Sequence, residues 1–295
     1  MTGGLVLQAV FAGVTNGCVY GLVGIGLAAI FKGSRIINVM QGDCAVVGAI
    51  TTVLLFTYLK WPYWAAILAG AAAGTLLCAV VEIVFLRRLV KRQASEDDLL
   101  LVTVGMHLAI GASVLFFVGR TGYLLPPFGG EAVLILFDAV VQVHAIWLVA
   151  IAIGITIALR YFFHHSSLGL AMMAAANDAD GAATTGINVD AMRAITFAVG
   201  GLLGAIAGIL VTPLISVDYQ MGLSLVLKGF TAAILGGLTN PFGAVVGGLT
   251  IGLLESLSIV WISSAYKDVV AFSFLIAIMI LRPEGILARV GRSGG

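Results

Sequence analysis

The sequence predicts an all-α polytopic membrane protein, one bundle of about eight or nine transmembrane helices spanning the single domain 1–295. Three observations carry that prediction. Hydrophobic residues make up 61% of the chain and charged residues 10%, against about 25% charged in typical soluble domains. Mean hydropathy is +1.13, and a soluble protein this apolar would have to expose large apolar patches. Apolar runs of about twenty residues recur throughout, each able to cross a hydrocarbon core about 30 Å thick as a helix.

The first run, 5–31, follows a start (MTGGLVLQ) with no basic segment and no convincing cleavage site, so it reads as a retained span. The second, 37–59, opens on INVMQGDC, which places Asn38, Gln41 and Asp43 between two apolar stretches. Further runs lie at 64–86, 99–118, 143–163, 194–215, 242–262 and 268–281, and a shorter apolar piece near 225–238 reads as a ninth span or a re-entrant helix. Lys and Arg favour short cytoplasmic loops. They gather at Lys32 and Arg35, at Arg87, Arg88, Lys91 and Arg92, at Arg160 and Arg193, and at Arg282, Arg289 and Arg292, while the loops around Lys60 and Arg120 are poorer. This puts the N-terminus outside and the C-terminus in the cytoplasm. That arrangement needs an odd number of crossings and so favours nine.

Helices in a bilayer associate through close backbone contact, which small residues permit. Glycines at spacing four are frequent: Gly13, Gly17 and Gly21 on the first span, Gly200, Gly204 and Gly208 on the sixth, Gly243 with Gly247, and Gly248 with Gly252. They read as packing seams. Cys18, Cys44 and Cys78 have neither a CxxC spacing nor a metal-ligand spacing and read as small packing residues.

Charge at membrane depth is costly and usually faces a cavity or a partner. The segment Asn38–Asp43 has two readings: an interfacial first turn with Asn38 or Asp43 as cap, or a break in the second span whose free backbone groups line a polar path. Glu82 is near enough to Arg87 to reach the headgroups. His107 reads as a packing histidine, Glu255 as a carboxylate with a partner inside the bundle, and Lys228 as a lysine able to snorkel. No Ser-His-Asp set, metal constellation or phosphate-binding loop appears, so no catalytic or metal residue is assigned, and the net charge of +1 gives no reason to invoke nucleic acid.

The segment 164–193, HHSSLGLAMMAAANDADGAATTGINVDAMR, is the one substantial polar insertion on the inner side. Its Ala and Met content favours a helix from Gly169 to Thr185, and Gly186 can end it. Asp178 and Asp180 would be repelled by anionic lipid, so a protein partner fits better than the membrane surface.

In this loop and on both sides of it the sequence resembles the permease subunits of branched-chain amino-acid ABC importers. RIINVMQGD (35–43) is similar to that family's Asn, then His or Gln three residues on, then Gly and an acid. MMAAANDADGAATTGIN resembles its coupling loop, with Asp178, Ala182, Gly186, Ile187 and Asn188 in register and Gly169 ahead of them; Met173 stands where the family commonly has Arg. AVGGLLGAIAGIL, KGFTAAILGGLTNPFGAVVGGLTIGLLES and LRPEGIL follow the family's order in the C-terminal half. The resemblance implies a multi-pass subunit of the bacterial inner membrane. It would pair with a second homologous permease, two cytoplasmic ATPases that hold the ATP and magnesium, and an extracytoplasmic substrate-binding protein, with no cofactor on this chain. It also implies that Asn38, Gln41, Gly42 and Asp43 lie beside the substrate path. Urea, short amides and aromatic acids are alternative cargoes. An ion-coupled secondary transporter would need a symmetric relay of acids or histidines, which Glu82, His107 and Glu255 do not form.

Overall fold

Helix α1 (Thr2–Ser34) forms the axis of the bundle, most of its apolar stretch being buried inside the chain. Around it come α2 (Gln41–Thr57), α3 (Tyr63–Val81), a π-helical turn (Glu82–Leu86) that continues into α4 (Arg87–Lys91), and α5 (Glu96–Val118). A two-stranded antiparallel hairpin, β1 (Val133–Leu136) with β2 (Ala139–Gln142), precedes α6 (Val143–His165). Two short helices, α7 (Ser167–Asn177) and α8 (Ala179–Thr184), then lead to α9 (Val189–Val211), α10 (Met221–Gly236), α11 (Gly243–Trp261) and α12 (Lys267–Leu281). This structure, a computed structural model, describes residues 2–136, 139–238, 240–282 and 285. Arg289, Arg292 and much of the LRPEGIL motif lie outside the described residues.

Seven stretches among the described residues are long and apolar enough to cross a membrane. The two remaining apolar helices of the bundle, α2 with 17 residues and α10 with 16, measure roughly 24–26 Å at 1.5 Å per residue. Among the described residues nine apolar helices therefore follow the predicted runs, but seven rather than nine have full spanning length. The short two can be short because other helices cover them, α3 and α9 packing on α2 and α1 and α11 on α10, with α2 and α10 also in contact. The ambiguous 225–238 piece is α10, a continuous helix.

The glycine seams explain how the helices approach so closely. A Cβ on Gly13 or Gly17 would meet the backbone of α11 at Gly252 or Gly248, and a Cβ on Gly208 would meet the Ala45 carbonyl of α2. Successive helical residues differ by about 100°, so α11 serves two neighbours. Gly248 and Gly252 face α1, while Gly243 and Gly247 face Gly236 and Ala232 of α10. Cys18, Cys44 and Cys78 are buried in the same packing.

Two local expectations need correction, and one element was not expected. The second helix begins at Gln41, four residues later than the predicted run. The stretch predicted as one helix over Gly169–Thr185 is two, because Asp178 takes an extended φ of −148° and caps α8. The β-hairpin has no counterpart in the prediction; its β-branched residues favour strand, in a segment too short to span.

Candidate functional site

The chain breaks between α1 and α2 for reasons visible in the backbone. Arg35 ends α1 with φ +58°, and residues 36–38 that follow have no helical hydrogen bonding. Buried backbone groups need partners, and Thr103 of α5 supplies them. Its hydroxyl donates to the Ile37 carbonyl at 3.1 Å and lies 3.4 Å from the Val39 N–H. The cap of α2 is Met40, which makes no side-chain cap hydrogen bond, so neither Asn38 nor Asp43 caps this helix.

The polar side chains of this break are all buried. Gln41 Nε2 donates to the Gly200 carbonyl of α9 at 2.6 Å, in space left open by Gly26 and Gly204. Asn38 Nδ2 lies 3.5 Å from both Gln41 Oε1 and Cys78 Sγ. Gly42 packs directly on Gly222 at the start of α10, where a Cβ would collide with the Gly222 carbonyl. Asp43 turns towards α5, with its two carboxylate oxygens 2.9 and 2.8 Å from His107 Nδ1. His107 is thus the partner of Asp43 and not a plain packing residue.

His107 also lines a cavity of about 650 Å³ between α5, α10 and α12. On the far wall stands Lys228, which does not snorkel. Its ammonium donates to Glu255 Oε1 at 2.6 Å and to the Tyr20 hydroxyl at 3.2 Å, and lies 3.1 Å from Asp268 Oδ1. Tyr20 in turn donates to Glu255 Oε2 at 2.8 Å. Glu255 therefore has the bundle partner expected for it, drawn from α1 and α10 together.

A second ionic cluster sits where α3, α4 and α9 meet, next to α7 and α8. Glu82 does not reach out to headgroups. It is fully buried at the π-helical turn, 2.8 Å from Arg193 Nε and 3.2 Å from Arg87. Arg193 also reaches Asp190 at 3.0 Å, and Lys91 reaches the other oxygen of Asp190 at 3.0 Å. This cluster fixes the first turn of α9 against the end of α3.

The α7–α8 unit is held at both ends. Gly169 lets α7 fold back over α6, since a Cβ there would strike the Phe162 carbonyl and the Phe163 backbone. Asn188 caps α9 by accepting from Ala191 N–H at 3.0 Å. Ala182 is buried, whereas Asp178, Asp180, Ala183 and Thr184 are exposed, and Met173 and Ile187 are partly buried. Leu170 and Ala174, four apart on α7, present an outward apolar stripe. Gly186 has φ +86° with no atom near its Cβ position.

Gly186 therefore supports a prediction that separates conformation from contact. Valine strongly disfavours φ > 0, so Gly186→Val should disturb the α8–α9 turn while leaving the bundle intact. If this loop has the coupling role that the family resemblance implies, membrane yield should be unchanged while transport and ATPase stimulation are lost together; normal transport by that variant would remove Gly186 from that role.

Sequence reasoning missed Arg193, Asp190 and Thr103. The Asp190–Arg193 pair had a usable signal in its spacing of three; Thr103 had none, because its partners lie 64 and 66 residues away.

Comparison with known proteins adds to this geometry. Residues 9–279 match the family described as branched-chain amino acid transport system / permease component. The chain is 31% identical over 298 residues to the high-affinity branched-chain amino acid transport system permease protein LivH of Escherichia coli (strain K12), covering 96% of each. It is 28% identical to the permease protein BraD of Pseudomonas aeruginosa, again over 96% of both chains. Among solved structures it resembles PsaBC from Streptococcus pneumoniae in complex with Fab, with a TM-score of 0.54, 16% identity and coverage of 94% and 92%. That likeness concerns the fold alone.

Proposed function

This chain belongs to the branched-chain amino acid transport system permease family, and from that premise we propose that it forms half of the pore of an ATP-driven importer for branched-chain or related amino acids. The observation that carries the proposal is the α7–α8 unit: outward-facing, apolar on one stripe, and clamped between α6 and α9. Two cytoplasmic ATPases would dock on it and hold the ATP and magnesium, a second homologous permease would complete the pore, and an extracytoplasmic binding protein would deliver the cargo. The positive charge near α4, α6 and α9 supports a cytoplasmic position for this end; on this reading the N-terminus lies outside and the C-terminus in the cytoplasm.

A mechanical route follows from the contacts. A push on α7–α8 moves the start of α9, which is tied to α3 through Arg193 and Glu82. Helix α9 carries the Gly200 carbonyl that Gln41 holds, so the displacement reaches the α1–α2 break and, through Asp43, His107. Asn38, Gln41, Gly42 and Asp43 would then act behind the wall of the path, with His107 as the group that faces it.

The test is reconstitution of this chain with its partner subunits in vesicles. ATP hydrolysis stimulated by loaded binding protein, with leucine uptake that needs ATP, is the expected result. Uptake by this chain alone, driven by an ion gradient, would overturn the reading.

A further inference from the structure

The outer face formed by α5 and α12 is the least enclosed part of the bundle, with 11% and 6% of their apolar stretches buried. A face of that kind should meet lipid, yet the cavity that opens on it carries Lys228, Asp268, His107, Gln220 and Ser224. An Asp, Lys or Arg at the bilayer centre costs about 2.5–3.5 kcal/mol even on lenient insertion scales, and such groups mark substrate pathways or partners. Lys228 is seven residues into α10, roughly 10 Å along its axis, and the side chain of Asp268 is half exposed. The cavity is therefore not a lipid-facing groove.

We propose that this cavity is a transit site for a zwitterionic amino acid with an apolar side chain. The proposal rests on the permease reading and deepens it. An ammonium has three donors. Lys228 commits two of them, to Glu255 and Tyr20, on the side facing the bundle, and the third points towards Asp268. The Asp268 contact is the loose one: its Oδ1 lies within ion-pair distance but makes no hydrogen bond among the described residues. An incoming carboxylate can take the third donor of Lys228, and the ammonium of the same molecule can take Asp268. One ion pair becomes two and no net charge enters the bundle. An anion could take only Lys228 and a cation only Asp268, so either would exchange one ion pair for another, where a zwitterion turns one into two. Leu108, Leu223 and Leu227 supply the apolar wall. About 650 Å³ lies within the range of small-ligand sites and leaves room for retained water.

The experiment uses the assembled transporter with Ser224→Cys; the native cysteines, all buried, serve as background. Labelling by a small water-soluble thiol reagent is followed with L-leucine, with 3-methylbutylamine (no carboxylate) and with 4-methylpentanoate (no ammonium). We expect labelling to proceed and leucine to slow it roughly tenfold at ten times its Kd, as mass action requires. Neither single-charge analogue should protect, and Asp268→Asn should abolish the leucine effect, read as the ratio of protected to unprotected rates within each variant. No labelling, equal protection by one analogue, or full leucine protection in Asp268→Asn would each overturn the site. Protection is read without turnover: a failed ATP-driven uptake assay with protection intact removes the importer reading, and uptake without protection removes this site.

Discussion

Glu82→Ala is expected to produce the largest loss of stability of any single side-chain truncation in the ionic clusters of the bundle. The carboxylate is fully buried and faces Arg193 and Arg87 at 2.8 and 3.2 Å. Its removal leaves Arg193, itself nearly buried, facing an empty polar site. Breaking a buried pair from one side typically costs about 3–5 kcal/mol, a large part of the stability of a membrane bundle or a soluble domain alike. The measurement is thermal unfolding of the detergent-purified subunit, together with the fraction that elutes as folded monomer or complex. Glu82→Ala should elute largely as aggregate, and Glu82→Gln, which keeps an acceptor for the Arg193 Nε–H, should fall between it and the native protein. The double variant Glu82→Met with Arg193→Met should recover much of the loss, because an apolar pair of similar volume often replaces a buried ion pair without penalty. Native-like unfolding of Glu82→Ala would show that Asp190 alone neutralises Arg193.

The second large effect is steric. A Cβ at Gly42 would overlap the Gly222 carbonyl, and the neighbouring atoms are backbone and cannot swing aside. Overpacking a filled interior typically costs about 1–3 kcal/mol or more, and a branched side chain adds to it. Gly42→Val should abolish folded yield, and Gly42→Ala should lower both yield and unfolding temperature. Gly105→Ala in α5, where nothing lies within 4 Å of the added atom, should match the native protein. Equal yields for Gly42→Ala and Gly105→Ala would mean that α2 and α10 can separate freely at this point. The comparison is informative because both glycines lie in helices, so helix propensity alone would favour alanine at each.

Most of the architecture was legible from composition and periodicity. The positions of the apolar helices, the glycine seams and the polar loop at 164–193 depend on local preferences and on the requirement that lipid-facing backbone satisfy itself within the helix. Those constraints act within a few residues and can be read along the chain. The polar cluster at Asn38–Asp43 was visible for the same reason, since a chain this apolar places such a cluster between two spans only against a cost, but whether it capped a helix or broke one stayed open. The partners of that cluster were not visible. Asp43 meets His107 across 64 residues, Gln41 meets Gly200 across 159, and Tyr20 meets Glu255 across 235. The sequence by itself determined that a carboxylate as deep as Glu255 would need a partner, while it left Glu82 and Lys228 within reach of the headgroups and His107 as a packing residue. Only the tertiary structure decided which partner, because the seams that set helix order are glycine contacts with no charge label of their own. Glu82 and Lys228 show the consequence: the sequence allowed the first to reach the headgroups and the second to snorkel, but helix packing turns each inward to an ion pair, since a neighbouring helix offers an opposite charge at 2.6–2.8 Å.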